Sequence, residues 1–196
     1  MSTERIDTRQ HILLCGRQLA AAKGFVGVGL SEILATAKVP KGSFYHYFPS
    51  KEAFGDALLE TYFADYLERV DELFAKPGRT GSQQLLAYFK RWIETQTDES
   101  EDERCLIVKL AAEVSDLSEP MRHTMHEGTE AILKRLAASI AQGQADGSIP
   151  TKQEPGPCAR WLYQAWLGAS LLAKLQRKRA PLDLAMTQTR HHLGLH

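Results

Sequence analysis

With 196 residues, 43% of them hydrophobic, the chain is long enough to bury a sizeable core and to hold a small module beside a larger one. No run of about 18 apolar residues is present, and Met1 to Asp7 has neither a basic n-region nor an apolar core. A membrane-spanning protein and a secretory leader are therefore not expected, and a cytoplasmic location is. Its 24 basic and 24 acidic residues cancel to a formal charge of zero, but residues 1–51 carry +4 and the remainder −4, a bias that steers the N-terminal part toward a polyanion.

In chain order, Thr8 to Lys23 reads as a helix with Ile12, Cys15, Leu19 and Ala22 on one face and Gly24 as its C-cap. Phe25, Val28 and Leu30 are expected to fill the space behind it. A second, short helix follows, with Ser31 as N-cap and Leu30, Ile33, Leu34 and Ala37 at helical spacing. Lys38 and Val39 form a turn, because Pro40 lacks a backbone donor and disfavours helix at the residue before it. A third helix, Lys41 to Tyr47, has Phe44 and Phe48 four apart for packing inward.

Two short helices joined by a tight turn read as a DNA-binding helix-turn-helix. In that setting Ser31, Lys41, Gly42, Ser43, Tyr45, His46, Tyr47 and Lys51 are the candidate contacts to double-stranded DNA. Lysines neutralise phosphates, tyrosine hydroxyls reach phosphate oxygens, and Lys41, Ser43 and His46 can donate to base edges in the major groove. Gly42 lets the duplex approach. Residues 1–50 are expected to form the DNA-binding domain and 51–196 an effector-sensing and dimerisation domain.

A long helix from Ser50 ends before Pro77-Gly78, with Phe54, Leu58, Tyr62, Tyr66, Val70 and Phe74 four apart. It begins at the DNA-binding module and can act as a lever between the two. Further helices are expected over Gly81–Thr97, Cys105–Val114, Glu119–Gln142, Pro157–Lys178 and Pro181–His192, so the fold class is all-α. The acidic stretch 98–103 reads as a loop, and Gly143 to Pro157 is rich in turn formers. The helix over 157–178 has almost no polar face and must be covered on more than one side. Either it is the central helix of a monomer, or Trp161, Leu167 and Leu171, with Leu182, Leu184 and Met186 of the last helix, meet a second subunit.

Cys105 opens a predicted helix with Arg104 beside it and Lys109 one turn on, a setting that favours thiolate and reaction with electrophiles or oxidants, although the acidic run before it opposes this. Lys174 is an amine on an otherwise apolar helix, read either as a partner for Cys105 or as a complement to the helix C-terminus. Cys15 and Cys158 read as packing residues. Trp92, Met121, Met125, Tyr163 and Trp166 are candidates for lining a non-covalent effector pocket. His123, His126, Glu127 and Glu130 fall at spacings of three and four but lack the second histidine of a zinc protease motif, so neither metal nor cofactor is expected. No phosphate-binding glycine loop or nucleophile elbow supports an enzyme, leaving a helical-bundle thiol enzyme as the remote alternative.

The stretch over Phe25, Ile33, Ala37, Val39, Lys41, Gly42, Tyr45, Tyr47, Phe48, Lys51 and Leu58 resembles the N-terminal signature of the TetR family of bacterial repressors. Pro40-Lys-Gly-Ser-Phe-Tyr-His-Tyr-Phe48 and Ser50-Lys-Glu-Ala-Phe54 carry the resemblance, which covers about residues 8–62. It implies a homodimer on a palindromic operator, released by an inducer. Residues 105–119, Trp166-Leu-Gly-Ala169 and Ala173-Lys174 are similar to the N-ethylmaleimide-responsive branch of that family, which implies sensing of reactive species through Cys105.

Overall fold

The structure is a computed structural model that describes residues 7–97 and 106–195. These form the helices α1 (Thr8–Lys23), α2 (Leu30–Ala37), α3 (Lys41–Tyr47), α4 (Lys51–Phe74), α5 (Gly81–Thr97), α6 (Leu106–Leu117), α7 (Glu119–Ala145), α8 (Pro155–Gln176) and α9 (Ala180–Leu193), with no strand among the described residues. The all-α expectation holds. Two compact units result. One comprises α1–α3, α4 through Ala64, α6 and α7 through Glu127; the other comprises α4 from Asp65, α5, α7 from Gly128, α8 and α9.

In the first unit Asp7 caps α1 by accepting from the Arg9 amide, and Gly24 ends it at φ 81°, a conformation that costs a residue with a Cβ. The buried face of α1 is Ile12, Leu13, Cys15, Gly16, Ala20 and Ala21, whereas Ala22 is exposed and Leu19 only half-buried. Gly16 belongs to that face because the Phe54 ring lies where a Cβ would be. Ser31 does not cap α2. The Gly29 carbonyl already accepts from the Glu32 and Ile33 amides, which places Ser31 one position inside the helix. Lys38 closes α2 in the left-handed region at φ 54°, and its own amide and that of Val39 satisfy carbonyls of the last turn.

α3 is held by its aromatics. Phe44 and Phe48 are buried, with ring centroids 5.3 Å apart and Phe54 of α4 5.4 and 5.2 Å from them. Along α4, steps of four residues drift about 40° per step against the 3.6-residue turn, so one apolar row cannot stay on one face for five steps. Phe54, Leu58, Tyr62 and Val70 are buried, while Tyr66 and Phe74 are half-buried.

The core of the second unit is aromatic. Trp166 stacks on Phe89 at 4.6 Å and lies 6.0 Å from Trp92, which meets Tyr163 edge-on at 5.5 Å. Both indole N–H groups find buried hydroxyls: Trp92 Nε1 donates to Ser170 Oγ and Trp166 Nε1 to Thr189 Oγ1, each at 2.8 Å. Ser139 donates to Gln84, whose amide donates to the Phe74 carbonyl. Arg135 of α7 grips Asp71 of α4 with two bonds of 2.6 and 2.7 Å, which holds the Asp71 carboxyl below its ordinary value.

Helix ends differ from the sequence expectation where a backbone rule overrides composition. α8 starts at Pro155, because proline is tolerated in a first turn whose amides have no partner, and stops at Gln176 because Arg177 turns left-handed. α6 and α7 run on to Leu117 and Ala145.

Candidate nucleic-acid interface and effector residues

The three N-terminal helices present α3 with its apolar side inward and its polar side outward. Lys41, Gly42, Tyr45 and His46 are exposed, and Ser43 and Tyr47 are half-buried. No atom lies within 4 Å of where a Cβ on Gly42 would stand, leaving open the approach to the start of the helix. The Lys41 ammonium sits 5.7 Å from the Tyr45 ring centroid, and the His46 and Tyr47 rings are 4.8 Å apart. Ser31 is exposed on α2, the neighbouring helix. Lys51 is different: its ammonium donates to the Phe25 carbonyl at 3.1 Å and lies 4.8 Å from the Phe25 ring centroid. The side chain read as a phosphate contact is directed at the α1–α2 connection.

Cys105 lies outside the described residues. Of the other two thiols, Cys15 and Cys158 are both buried, and burial pushes each thiol above its ordinary value, which suppresses thiolate. Lys109 donates to the Ala22 carbonyl at 3.2 Å. Lys174 is exposed on α8. Trp92, Tyr163 and Trp166 are brought together in the second unit, whereas Met121 and Met125 are buried in the first, Met121 against Gly55 beside Phe25. His123 and His126 are exposed, and among the described residues no group of three or more His, Cys, Asp or Glu is placed to hold a metal ion. No helix among them is long and apolar enough to cross a membrane.

On α8, Cys158, Ala159, Leu162, Tyr163, Trp166, Ala169 and Ser170 are buried within the chain, while Trp161, Leu171, Leu172 and Leu175, with Leu184 of α9, are exposed. Leu167 and Met186 are half-buried. Leu182 has no accessible surface and belongs to the core of its own subunit; the sequence reading that put it at a subunit interface is corrected by its burial. The His192 ring stacks on Trp161 at 4.0 Å, and burial, aided by the neighbouring His191, lowers its pKa. A histidine depressed in the folded state binds its proton more readily when unfolded. Its stabilising effect is complete above the ordinary histidine range and is lost as pH falls through that range toward the lowered value. Thermal melts should therefore fall between pH 7.5 and 5.5, with a shallower slope in His192→Phe.

A short apolar-anchored helix that turns lysine, histidine, serine and tyrosine outward after a tight turn defines a helix-turn-helix DNA-binding protein of all-helical build. Residues 12–58 match the model of the tetR family of bacterial regulatory proteins and residues 81–189 that of the tetracyclin repressor-like C-terminal domain. The chain belongs to the TetR family. It is 43% identical to the HTH-type transcriptional repressor NemR of Escherichia coli K12 over 94% of this chain and 93% of that protein. It is 35% identical to the repressor DhaR of Mycobacterium sp. GP1 over 93% and 90%. The crystal structure of reduced E. coli NemR superimposes with a TM-score of 0.89 at 44% identity, covering 94% of this chain and 96% of that one.

Glu113 is the residue that sequence reasoning passed over. Its carboxylate accepts from the Val26 amide, a contact between positions 87 residues apart that no periodicity signals.

Proposed function

We propose that the protein is a homodimeric transcriptional repressor that binds a palindromic operator in double-stranded DNA through residues 1–50. It releases that operator when an electrophile, an oxidant or another small-molecule inducer acts on residues 51–196. The observation that carries the reading is the outward face of α3, where Lys41, Ser43, Tyr45 and His46 stand on a helix anchored from behind by Phe44 and Phe48. Two such helices in a C2 dimer meet successive major grooves about 34–36 Å apart.

Reactive-species sensing is supported by the similarity to NemR and by the state of the other thiols. With Cys15 and Cys158 buried and their thiols pushed up, Cys105 is left to carry thiol chemistry, with Lys174 as its proposed partner. A non-covalent pocket is the second reading, favoured by the clustering of Trp92, Tyr163 and Trp166.

One titration tests both. Duplexes selected from a random pool by the wild-type protein are exposed to N-ethylmaleimide, a quinone or hypochlorite, with Cys105→Ser and Lys174→Ala in parallel. Release by wild type and retention by Cys105→Ser is the expected result; release by both favours the pocket. On untreated protein, Lys41→Ala should weaken binding and reduce the slope of log K against log salt by about 2, one phosphate contact being lost from each subunit. Binding that is unaffected by salt and by Lys41→Ala would defeat the DNA-binding assignment.

A further inference from the structure

The last carbonyls of a helix have no partner within it and must be satisfied from outside. In α2 two of them are taken by the turn that follows, Leu34 by the Val39 amide and Ala35 by the amide of Lys38. The Ala37 carbonyl is met from another helix. His11 of α1, 26 positions earlier, has its Nε2 3.1 Å from that oxygen. A carbonyl only accepts, so Nε2 carries the proton and donates, which fixes the tautomer of the neutral ring. Cys15 Sγ, one turn along α1, stands 3.9 Å from the same nitrogen, and burial keeps that thiol protonated, so no thiolate competes for the N–H.

This bond sits at the pivot of the helix-turn-helix. Ala37 is the last residue of α2 and Lys41 the first of α3, and the turn between them passes through Lys38 at φ 54°, a conformation that a residue with a Cβ adopts at a cost. Such a turn persists only where its surroundings hold it. The start of α3 has no side-chain cap, whereas its far end is fixed: Phe44 and Phe48 are buried against Phe54, and the Arg9 guanidinium lies 5.5 Å from the Phe48 ring centroid. With that end anchored, the direction of α3 is set by the turn, and Ala37 is where α1 takes hold of it. Ala37 is buried, so removing the imidazole strands a buried acceptor.

We infer that His11 is a positioning residue for DNA recognition: by holding the end of α2 it sets the angle at which α3 presents Lys41, Ser43 and His46 to a duplex. This rests on the DNA-binding reading above, and it adds the group on which sequence discrimination, as distinct from bulk affinity, depends. Lysine contacts to phosphate tolerate a small rotation of the helix, while hydrogen bonds to base edges are lost with it. His11 is half-buried on α1 and is not part of the α3 surface.

The experiment compares wild type, His11→Ala and His11→Gln for binding to a duplex selected by the wild type and to a scrambled duplex of the same length and composition, at one salt concentration. His11→Ala should bind the selected duplex about tenfold more weakly and the scrambled one to within about twofold of wild type, so the ratio of the two affinities falls with the first. Glutamine brings an amide N–H close to where Nε2 stands, and His11→Gln should recover the ratio to within about threefold. A merely structural role would not show this pattern, since a smaller folded fraction weakens both complexes alike and leaves the ratio unchanged. In the full-length wild type, nitrogen–proton correlations of the neutral His11 ring should place the proton on Nε2.

A ratio in His11→Ala equal to the wild type's would overturn the positioning role while leaving the DNA-binding reading intact. So would a His11→Gln no better than His11→Ala, or a neutral His11 ring protonated on Nδ1; the tautomer decides the matter should His11→Ala not fold. A wild type that enriches no duplex from a random pool would overturn the DNA-binding reading and the role of His11 with it.

Discussion

Trp166→Ala should lower the free energy of unfolding by about 3–5 kcal/mol, measured by urea denaturation at fixed protein concentration. Trp166 has no accessible surface, stacks nearly parallel on Phe89 and donates to Thr189, itself 1% exposed. Truncation removes the ring, leaves a cavity that Phe89 and Trp92 fill only in part, and strands the Thr189 hydroxyl. The stranded hydroxyl alone costs about 1–3 kcal/mol. Trp166→Phe separates the two effects, because it keeps most of the packing and removes the donor. Trp161→Ala is the contrast: its ring covers His192 from the solvent side and is 45% exposed, so the isolated subunit loses far less.

How much of this was readable in the sequence depended on what kind of interaction decides each feature. The bounds expected for α1, α3 and α5 are reproduced residue for residue, with Gly24 after α1 and Pro40 before α3 as the local punctuation; the Asp7 cap of α1 emerged only in three dimensions. Ser31 failed as a cap for a local reason too, but a subtler one: a glycine two residues upstream closes the first turn with its backbone, and a side-chain preference cannot signal that. The outward face of α3 was legible because Phe44 and Phe48 set the helix phase on their own. Lys51 was not, since a lysine next to a DNA-binding helix reads as a phosphate contact until the Phe25 carbonyl is placed beside it. Glu113 gave no signal at all. On α8 the sequence showed almost no polar face, and it took three dimensions to assign Trp166, with Leu182 of α9, to the core and Leu171 to the outside.

That outer face carries the prediction with the largest effect on DNA binding. Leu171→Glu/Leu175→Glu is expected to convert the protein to a monomer in sedimentation analysis at micromolar concentration and to weaken binding to the selected duplex by about 100-fold or more. Leu171, Leu172, Leu175 and Leu184 are 49–70% exposed in the isolated chain, a run of leucines on two adjacent helices that water covers at a cost. In an isologous C2 contact each residue faces the same patch on its partner, so every substitution is felt twice and the four introduced carboxylates repel across the axis. In the proposed dimer, operator affinity depends on that contact because one subunit docked on its half-site presents the second at high local concentration, and a monomer loses this advantage without any change to α3. The folding control is internal to the molecule. The two leucines lie on the solvent side of α8, so the thermal melt of the monomer should stay cooperative, whereas Leu182→Ala, inside the core, should lower the melt more than it dissociates the dimer. A double variant that stays dimeric, or a monomer that binds the duplex as tightly as the wild type, would show that this face does not bring the two recognition helices together.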